Sequence, residues 1–549
     1  MFPMVTLDGD GNNPFNASVY FICLFNTLSP GAIFALNQNN GLVGGDSVLN
    51  SHKFMDFISQ GSTMKGRDSK VLTTDTINPN IINIEYAVRG PIVQRACELE
   101  AGISQGVICG FTEIVKCNIG DCHATGQQPI TFPRQVISMM SYPPLLNDDT
   151  LPEDAKARAR RMLDSCPGHS VGSYSDSLGL RVVREDVAKF IERRDGFPTD
   201  WENIFLTSGA SEAVKYILYL LSTGETGDRR AGIMVPIPQY PLYSATNAEL
   251  NSYQINYYLD ENNHWALHIP ELERALNAAR GHCVPRAIVV INPGNPTGQV
   301  LSRECIENVI RFATENRLVL LADEVYQFNV FQPDTHPWVS FRRVLHDMGP
   351  PYSTQLELAS FMSASKGYMG ECGFRGGYCE LTNFCPAVRA QLYKALSARL
   401  CPSVLGQAML GCIVNPPSEN EPSYATFVAE RNQVLEDLRR KANLMSTTLN
   451  SLPGMSCNTV QGAMYAFPRI QLPPKAILAA EEKGQKPDFF YCLRLLEEKG
   501  VCVVPGSGFG QQEGTYHFRI TILPTLEKIK YVVDCLKDFH TKFMATYSD

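Results

Sequence analysis

Asn295, Asp323, Tyr326, Lys366 and Arg375 follow one another along the chain in an order that suits one kind of chemistry. Lys366 lies at the edge of a Gly-rich turn, Ser363-Ala364-Ser365-Lys366-Gly367-Tyr368-Met369-Gly370-Glu371-Cys372-Gly373-Phe374-Arg375-Gly376-Gly377-Tyr378. Hydroxyls at Ser363 and Ser365 and the guanidinium of Arg375 flank its amine. A lysine that holds an aromatic aldehyde bearing a phosphate needs such neighbours. The phosphate takes two or three donors and one fixed cation, and the amine must sit away from bulk water. A pyridine nitrogen stays protonated only beside a buried carboxylate, and Asp323 ends an apolar run. Asn295 and Tyr326 offer donors to a ring phenolic oxygen. With the pyridinium held charged, the ring becomes a sink for the electron pair left when a Cα proton departs. Taken singly, Lys366 reads as a solvated basic turn, Asp323 as a helix cap and Asn295 as a turn residue before proline. Their joint order points to pyridoxal phosphate.

The elements around these residues are legible. Ala287 to Ile291 is an apolar, β-branched run followed by Asn292-Pro293-Gly294-Asn295-Pro296-Thr297-Gly298, which predicts a buried strand ending in a tight turn. Leu318 to Ala322 predicts a second buried strand, ending in Asp323-Glu324-Val325-Tyr326. Between them Ser302 is an N-cap, Glu304 sits in the first turn, and Ile306, Val309, Ile310 and Ala313 share one helical face. Strand, helix, strand implies a parallel sheet with functional groups at the strand C-terminal ends. Ser208-Gly209-Ala210-Ser211 precedes a further helix patterned by Ala213, Val214, Ile217 and Leu218. The free N–H groups at its start would face an anion, unless it is an ordinary capped helix. Arg519 lies in the strand-like run Tyr516 to Leu523. It either faces solvent, which the pattern alone favours, or holds a carboxylate with a bidentate fork.

On these motifs the chain resembles the fold-type I aminotransferases and, within them, the alanine aminotransferase branch. Pro236-Ile237-Pro238-Gln239-Tyr240-Pro241-Leu242-Tyr243, Asn292 to Gly298, Asp323 to Gln327, Ser365 to Gly377, Val503 to Gly510 and Glu85-Tyr86-Ala87-Val88-Arg89-Gly90-Pro91-Ile92 all stand as that family writes them. The resemblance covers roughly residues 70 to 547. It implies an α/β fold, with a large doubly wound, mostly parallel mixed-sheet domain and a smaller α+β domain. The expected division is an N-terminal extension over 1–69, an arm and part of the small domain over 70–150, the cofactor domain over 151–399 and the rest of the small domain over 400–549.

The resemblance also implies roles. Lys366 carries the pyridoxal 5'-phosphate and then moves the proton between substrate Cα and the cofactor. Asp323 pairs with the pyridine nitrogen, Asn295 and Tyr326 bond the phenolic oxygen, and Tyr240 stacks on the ring. Ala210, Ser211, Ser363 and Arg375 hold the phosphate. Tyr174 reaches the phosphate of the neighbouring subunit in a homodimer. Arg519 grips the substrate α-carboxylate, and the Asn118-Ile119-Gly120-Asp121 loop and Asn295 lie beside the substrate. The implied activity is ping-pong transfer of the amino group of L-alanine to 2-oxoglutarate, giving pyruvate and L-glutamate as pyridoxal and pyridoxamine forms alternate. Phe328 stands where relatives usually show an acid, and Ser175-Asp176-Ser177-Leu178 departs from the usual small, uncharged pattern. Three rivals stay open: another amino-acid preference, a fold-type I lyase such as aminocyclopropane-carboxylate synthase, and a cofactor-free protein that keeps the scaffold.

Composition narrows the rest. At 549 residues, length allows more than one core, and 44% hydrophobic with 19% charged residues fits a globular enzyme. A net charge of −8 argues against nucleic acid as a partner. Arg160-Arg161 and Arg439-Arg440 read as solvated helix faces. Seventeen cysteines, spread without paired short spacings, read as reduced thiols of an intracellular protein, with cytoplasm and mitochondrion both open. Cys117 and Cys122 match no common zinc spacing, and His264 and His268 fall in an extended stretch, so no metal is expected. Gly506 to Gly510 lacks dinucleotide-loop spacing and reads as a loop of the smaller domain. Residues 1–52 contain no lysine or arginine, which fits neither a mitochondrial presequence nor a secretory signal. Asn26, Ser29, Pro30 and Gly31 break the apolar stretch from Ala17 to Leu36, so no membrane span is expected there.

Overall fold

Seven short apolar strands build the central layer: β1 (Ile204–Thr207), β2 (Ala231–Ile237), β3 (Tyr253–Tyr258), β4 (Val284–Ile291), β5 (Val319–Asp323), β6 (Leu358–Ser363) and β7 (Gly377–Thr382). Their order in the sheet is β1-β7-β6-β5-β4-β2-β3. β7 runs antiparallel to both neighbours and the remaining pairs are parallel. The chain is described here from a computed structural model covering residues 70–107 and 110–548. Residues 74–549 form one compact unit. The expectations for 1–69 lie outside the described residues.

Alternation along the strands sends successive side chains to opposite faces. Ile233, Val235, Ala287, Val289 and Leu321 pack against helix α1 (Ala210–Leu221) through Ala213, Val214, Ile217 and Leu218. Met234, Ile288, Val290 and Leu320 pack on the other face against helix α2 (Arg303–Glu315) through Ile306, Val309, Ile310 and Ala313. Both faces are therefore covered, as near-continuous apolar strands require. The expected cap is in place: Ser302 Oγ accepts from Cys305 N–H at 3.1 Å. A third core, containing Ile204, Leu206, Met362 and Tyr378, is closed by helices Thr131–Ser141, Arg181–Asp195 and Val404–Val414.

The remaining strands are very short. β8 (Tyr465–Ala466), β9 (Val504–Pro505) and β10 (Phe518–Thr521) form an antiparallel sheet ordered β8-β10-β9. Val115–Lys116 pairs in parallel with Val501–Cys502. The long helix α3 (Tyr424–Asn450) buries Phe427 in the core under the large sheet and Leu438, Ala442, Met445 and Leu449 in the core of this region. The C-terminal helix α4 (Leu526–Tyr547) completes that second core with Ile529, Val532, Leu536 and Phe539.

Arg160, Arg439 and Arg440 are exposed, as expected. Arg161 is not simply solvated, because both its terminal nitrogens engage the buried Asp186. His268 Nε2 lies 3.2 Å from Asp260 Oδ2, beside the helix Ile269–Ala279. Every cysteine among the described residues is a free thiol. Among those residues no helix is long and apolar enough to cross a membrane.

Candidate active site

Strand register decides where the functional side chains meet. Ile291 pairs with Asp323, Asp323 with Phe361, and Ser363 and Thr207 both with Gly377. The C-terminal ends of β1, β4, β5 and β6 therefore share one edge. Within four residues of a strand end the chain delivers Ala210 after β1, Tyr240 after β2, Asn295 after β4, Tyr326 after β5 and Lys366 after β6. All of these line one cavity of about 490 Å³, together with Ser211, Asp323, Ser363, Arg375, Gly120 and Arg519. Of the expected residues, Asn118 and Tyr174 do not line it; Asn118 is buried and the Tyr174 side chain is exposed.

One end of the cavity suits a phosphate. Gly209 precedes α1 with φ +91, and a side chain there would collide with the Arg375 guanidinium. No side chain caps α1, so its first N–H groups carry the positive end of the helix dipole unpartnered. Arg375 Nη1 donates to Ser365 Oγ at 3.1 Å and to the Cys372 carbonyl at 2.9 Å. Ser363 Oγ accepts from Ser365 N–H at 3.0 Å.

Behind this cradle, Asp323 is buried. Its Oδ2 accepts from Tyr243 Oη at 2.9 Å, while Oδ1 has no partner. Burial pushes this carboxyl up to about 6, against the opposing pull of the Tyr243 bond. Leaving one oxygen of a buried carboxylate unpartnered is costly unless a donor comes to meet it. Lys366 Nζ donates to the Gly120 carbonyl at 2.7 Å. Burial opposes its charge, but Tyr465, Cys372 and Cys122 tip the balance and raise it. A side chain at Gly120 would collide with Tyr465 Oη and come within 2.8 Å of Lys366 Nζ, so a larger residue would displace both groups.

Opposite the sheet edge sits Arg519, only 1% exposed. The solvent-facing alternative is thus excluded. Its Nη1 donates to Asn295 Oδ1 at 3.1 Å and its Nη2 to the Asn118 carbonyl at 2.6 Å. The guanidinium lies 4.1 Å from the Tyr465 ring centre and 4.7 Å from that of Phe509. No carboxylate pairs with it among the described residues, and Nε is unpartnered. A buried, uncompensated guanidinium is a receptor for an anion. Around the cavity the ionisable side chains Arg89, Lys366, Arg375 and Arg519 outnumber the carboxylates Asp121 and Asp323, which suits an anionic guest.

Three tyrosines were not assigned roles by sequence reasoning. Tyr86 and Tyr243 lie inside quoted motifs. Tyr86 Oη is 3.0 Å from Tyr240 Oη, and Tyr243 holds Asp323. Tyr465 carries no local signal: it reaches the site because β8 pairs with β10, setting Tyr465 opposite Thr521 and Ala466 opposite Ile520. Tyr326 Oη donates to Tyr465 Oη at 3.3 Å. Burial opposes ionisation of Tyr465, yet Lys366 and Arg519 lower its phenol below the ordinary range. Of the departures, Phe328 packs against Tyr368 and Phe190. Asp176 Oδ1 accepts from Leu178 N–H at 2.8 Å in a local turn.

Residues 135–536 match the family described as "Aminotransferase class I and II". The chain belongs to that family. It is 59% identical over 484 residues to alanine aminotransferase 1 of Homo sapiens, covering 88% of this chain and 97% of that protein. It is 58% identical over 492 residues to alanine aminotransferase 2 of Xenopus laevis, covering 89% and 91%. Among solved structures, an alanine aminotransferase from Pyrococcus furiosus superposes with a TM-score of 0.67 at 23% identity, covering 85% of this chain and 99% of that one. That likeness bears on the fold, a fold-type I arrangement. The cofactor of the family is pyridoxal phosphate. The residues present fit it: an open helix start with Ser363, Ser365 and Arg375 for the phosphate, Lys366 for the aldehyde, and an orphaned Asp323 oxygen for the ring nitrogen.

Proposed function

We propose that this cavity transfers the amino group of L-alanine to 2-oxoglutarate, giving pyruvate and L-glutamate. The observation that carries the chemistry is the meeting, in one cavity, of the Lys366 amine, the unpartnered Asp323 oxygen and the buried, unpaired Arg519 guanidinium. The choice of alanine is supported by identity of 58–59% to proteins named alanine aminotransferase.

Each residue then has a task. Arg519 binds the α-carboxylate through its planar fork, and Asn295 and Asn118 orient it. Asp323, fixed by Tyr243, would keep a proton on the ring nitrogen. Ala210, Ser211, Ser363 and Arg375 would hold the phosphate, Tyr240 would flank the ring, and Asn295 and Tyr326 would offer donors to its phenolic oxygen. Lys366 Nζ moves the substrate Cα proton, and the Gly120 carbonyl keeps that amine on station. Bound pyridoxal phosphate supplies the electron sink that makes the Cα proton acidic. One α-carboxylate site serves both amino donor and oxo acid, so alanine must leave as pyruvate before 2-oxoglutarate enters.

A homodimer belongs to the same proposal. Tyr174 is 70% exposed and does not line its own chain's cavity, which suits service to the phosphate end of a second copy. Mixing Lys366→Ala with Tyr174→Phe protein should restore activity if sites are shared between copies; no recovery over either parent counts against it. For the reaction itself, initial-rate plots against alanine at several 2-oxoglutarate levels should be parallel, with pyruvate as product. Intersecting lines count against the two-step order. Release of aminocyclopropane carboxylate from S-adenosylmethionine in place of pyruvate from alanine would assign the lyase alternative instead.

A further inference from the structure

A cavity that serves this reaction must take one carboxylate in one half-reaction and two in the other. The α-carboxylate belongs to Arg519. Arg375 lies with Ser365 and the start of α1 at the phosphate end, and Lys366 is the reacting amine. One cationic side chain of the cavity is then left without a task. We propose that Arg89 grips the distal carboxylate of 2-oxoglutarate and L-glutamate, an inference that rests on the alanine and 2-oxoglutarate reading above.

Arg89 lines the same cavity, and its side chain makes no hydrogen bond or ion pair among the described residues. Its root is nonetheless fixed. Ala87–Arg89 is a single 3-10 turn in which Arg89 N–H donates to the Tyr86 carbonyl at 3.1 Å. On one side Tyr86 Oη meets Tyr240 Oη at 3.0 Å. On the other, Val88 is buried in a cluster with Trp265, Phe467, Val504 and Phe509. Phe509 is also the ring 4.7 Å from the Arg519 guanidinium. One aromatic cluster therefore supports both the residue that reads the α-carboxylate and the base of the residue assigned to the distal one.

The exposed head explains how one pocket serves two substrates. A buried, fixed guanidinium opposite the methyl of alanine would be left desolvated and unpaired, which is costly. The Arg89 side chain is exposed, so it can turn to water when alanine or pyruvate is bound and close on a second carboxylate when one arrives. The facing charges matter too. Asp121 lines the cavity and its Oδ1 accepts from Ala124 N–H at 3.1 Å. A dicarboxylate entering beside that acid needs a compensating cation, and the planar arginine fork matches a carboxylate bidentately.

The test uses the cofactor-loaded full chain with Arg89→Met, which keeps an apolar stem, and Arg89→Lys. The ratio of kcat/KM for 2-oxoglutarate to that for pyruvate should fall by about 30-fold in Arg89→Met, the range for a hydrogen-bonded charge pair, and recover in part in Arg89→Lys. A second readout is independent of turnover. Calorimetric titration should show glutarate binding weakened by a similar factor and butyrate binding by less than about twofold. An unchanged ratio with unchanged glutarate affinity, in an enzyme that still makes pyruvate from alanine, overturns the assignment of Arg89 alone. An equal loss for butyrate and glutarate overturns it as well, because it would show a general effect on the cavity. A wild-type protein inert toward alanine and 2-oxoglutarate would instead remove the reading on which the assignment rests.

Discussion

Along the edge of the seven-stranded sheet, each residue assigned to the cofactor lies within four positions of a strand end. On the facing side, Gly120, Tyr465 and Arg519 come from a loop, a two-residue strand and a four-residue strand. The sheet edge holds its groups by register, since β4, β5 and β6 are buried on both faces and cannot slip without exposing apolar side chains. The facing side holds its groups by tertiary contacts among residues hundreds of positions apart, such as Lys366 with Gly120 and Arg519 with Asn118. The first surface suits the cofactor, which must stay. The second suits the substrate, which must come and go.

Substitutions should separate the two surfaces, and the largest effect is expected at the point where they meet. Lys366→Ala should lower turnover by at least about 10⁴-fold while leaving the phosphate cradle able to retain cofactor. Retained turnover would detach the chemistry from the sheet edge. Next, Arg519→Leu should lower kcat/KM for amino and oxo acids together by roughly 100- to 1,000-fold, with cofactor affinity little changed. Truncating one partner of a buried charge pair costs about 2–5 kcal/mol. Selective loss for one substrate class would contradict a shared α-carboxylate site.

Asp323 gives a pH signature. In the cofactor-free protein its carboxyl sits at about 6, above the ordinary aspartate value of 3.8. Folding therefore favours the protonated form. That contribution is fully present below 3.8 and is lost as pH rises through about 6, a change of roughly 3 kcal/mol. Asp323→Asn should flatten this part of the stability profile in calorimetric melts. Glu324, pushed by burial up to about 7, should keep a slope at higher pH in both proteins. A profile unchanged by Asp323→Asn would mean that this carboxyl is not held protonated.

The smallest effects come from a matched pair of glycines. Gly209→Ala meets Arg375 at a positive φ and should weaken cofactor binding about tenfold with turnover at saturation preserved. Gly120→Ala meets Tyr465 and should lower kcat about tenfold at unchanged cofactor affinity, since small misplacements of reacting groups are felt strongly. Reversed outcomes would erase the distinction between the two sides.

The same division governs what could be read from the residues alone. β4, α2 and β5 were legible because apolar runs, a serine cap and turn residues act locally, and Asn295 and Asp323 follow directly from them; Lys366 stood out through its own Gly-rich turn. For Ala210 and Ser211 the sequence offered a helix start after Gly209 that suits an anion or an ordinary cap, and the family resemblance chose the phosphate. Arg519 was different: a cation in a strand reads as solvated until the fold buries it, and only the family resemblance pointed inward. Tyr465 had no local signature, because its place depends on β8 meeting β10. The unmatched oxygen of Asp323 is likewise a property of packing.

The central claim is that Lys366, Asp323 and Arg519 together carry out the alanine half-reaction. The direct test mixes cofactor-loaded enzyme with L-alanine in the absence of any oxo acid, following pyruvate and the absorption band of the bound cofactor. The account predicts about one pyruvate per active site with loss of that band, and neither change in Lys366→Ala. A band indifferent to L-alanine, with no pyruvate released, would contradict it.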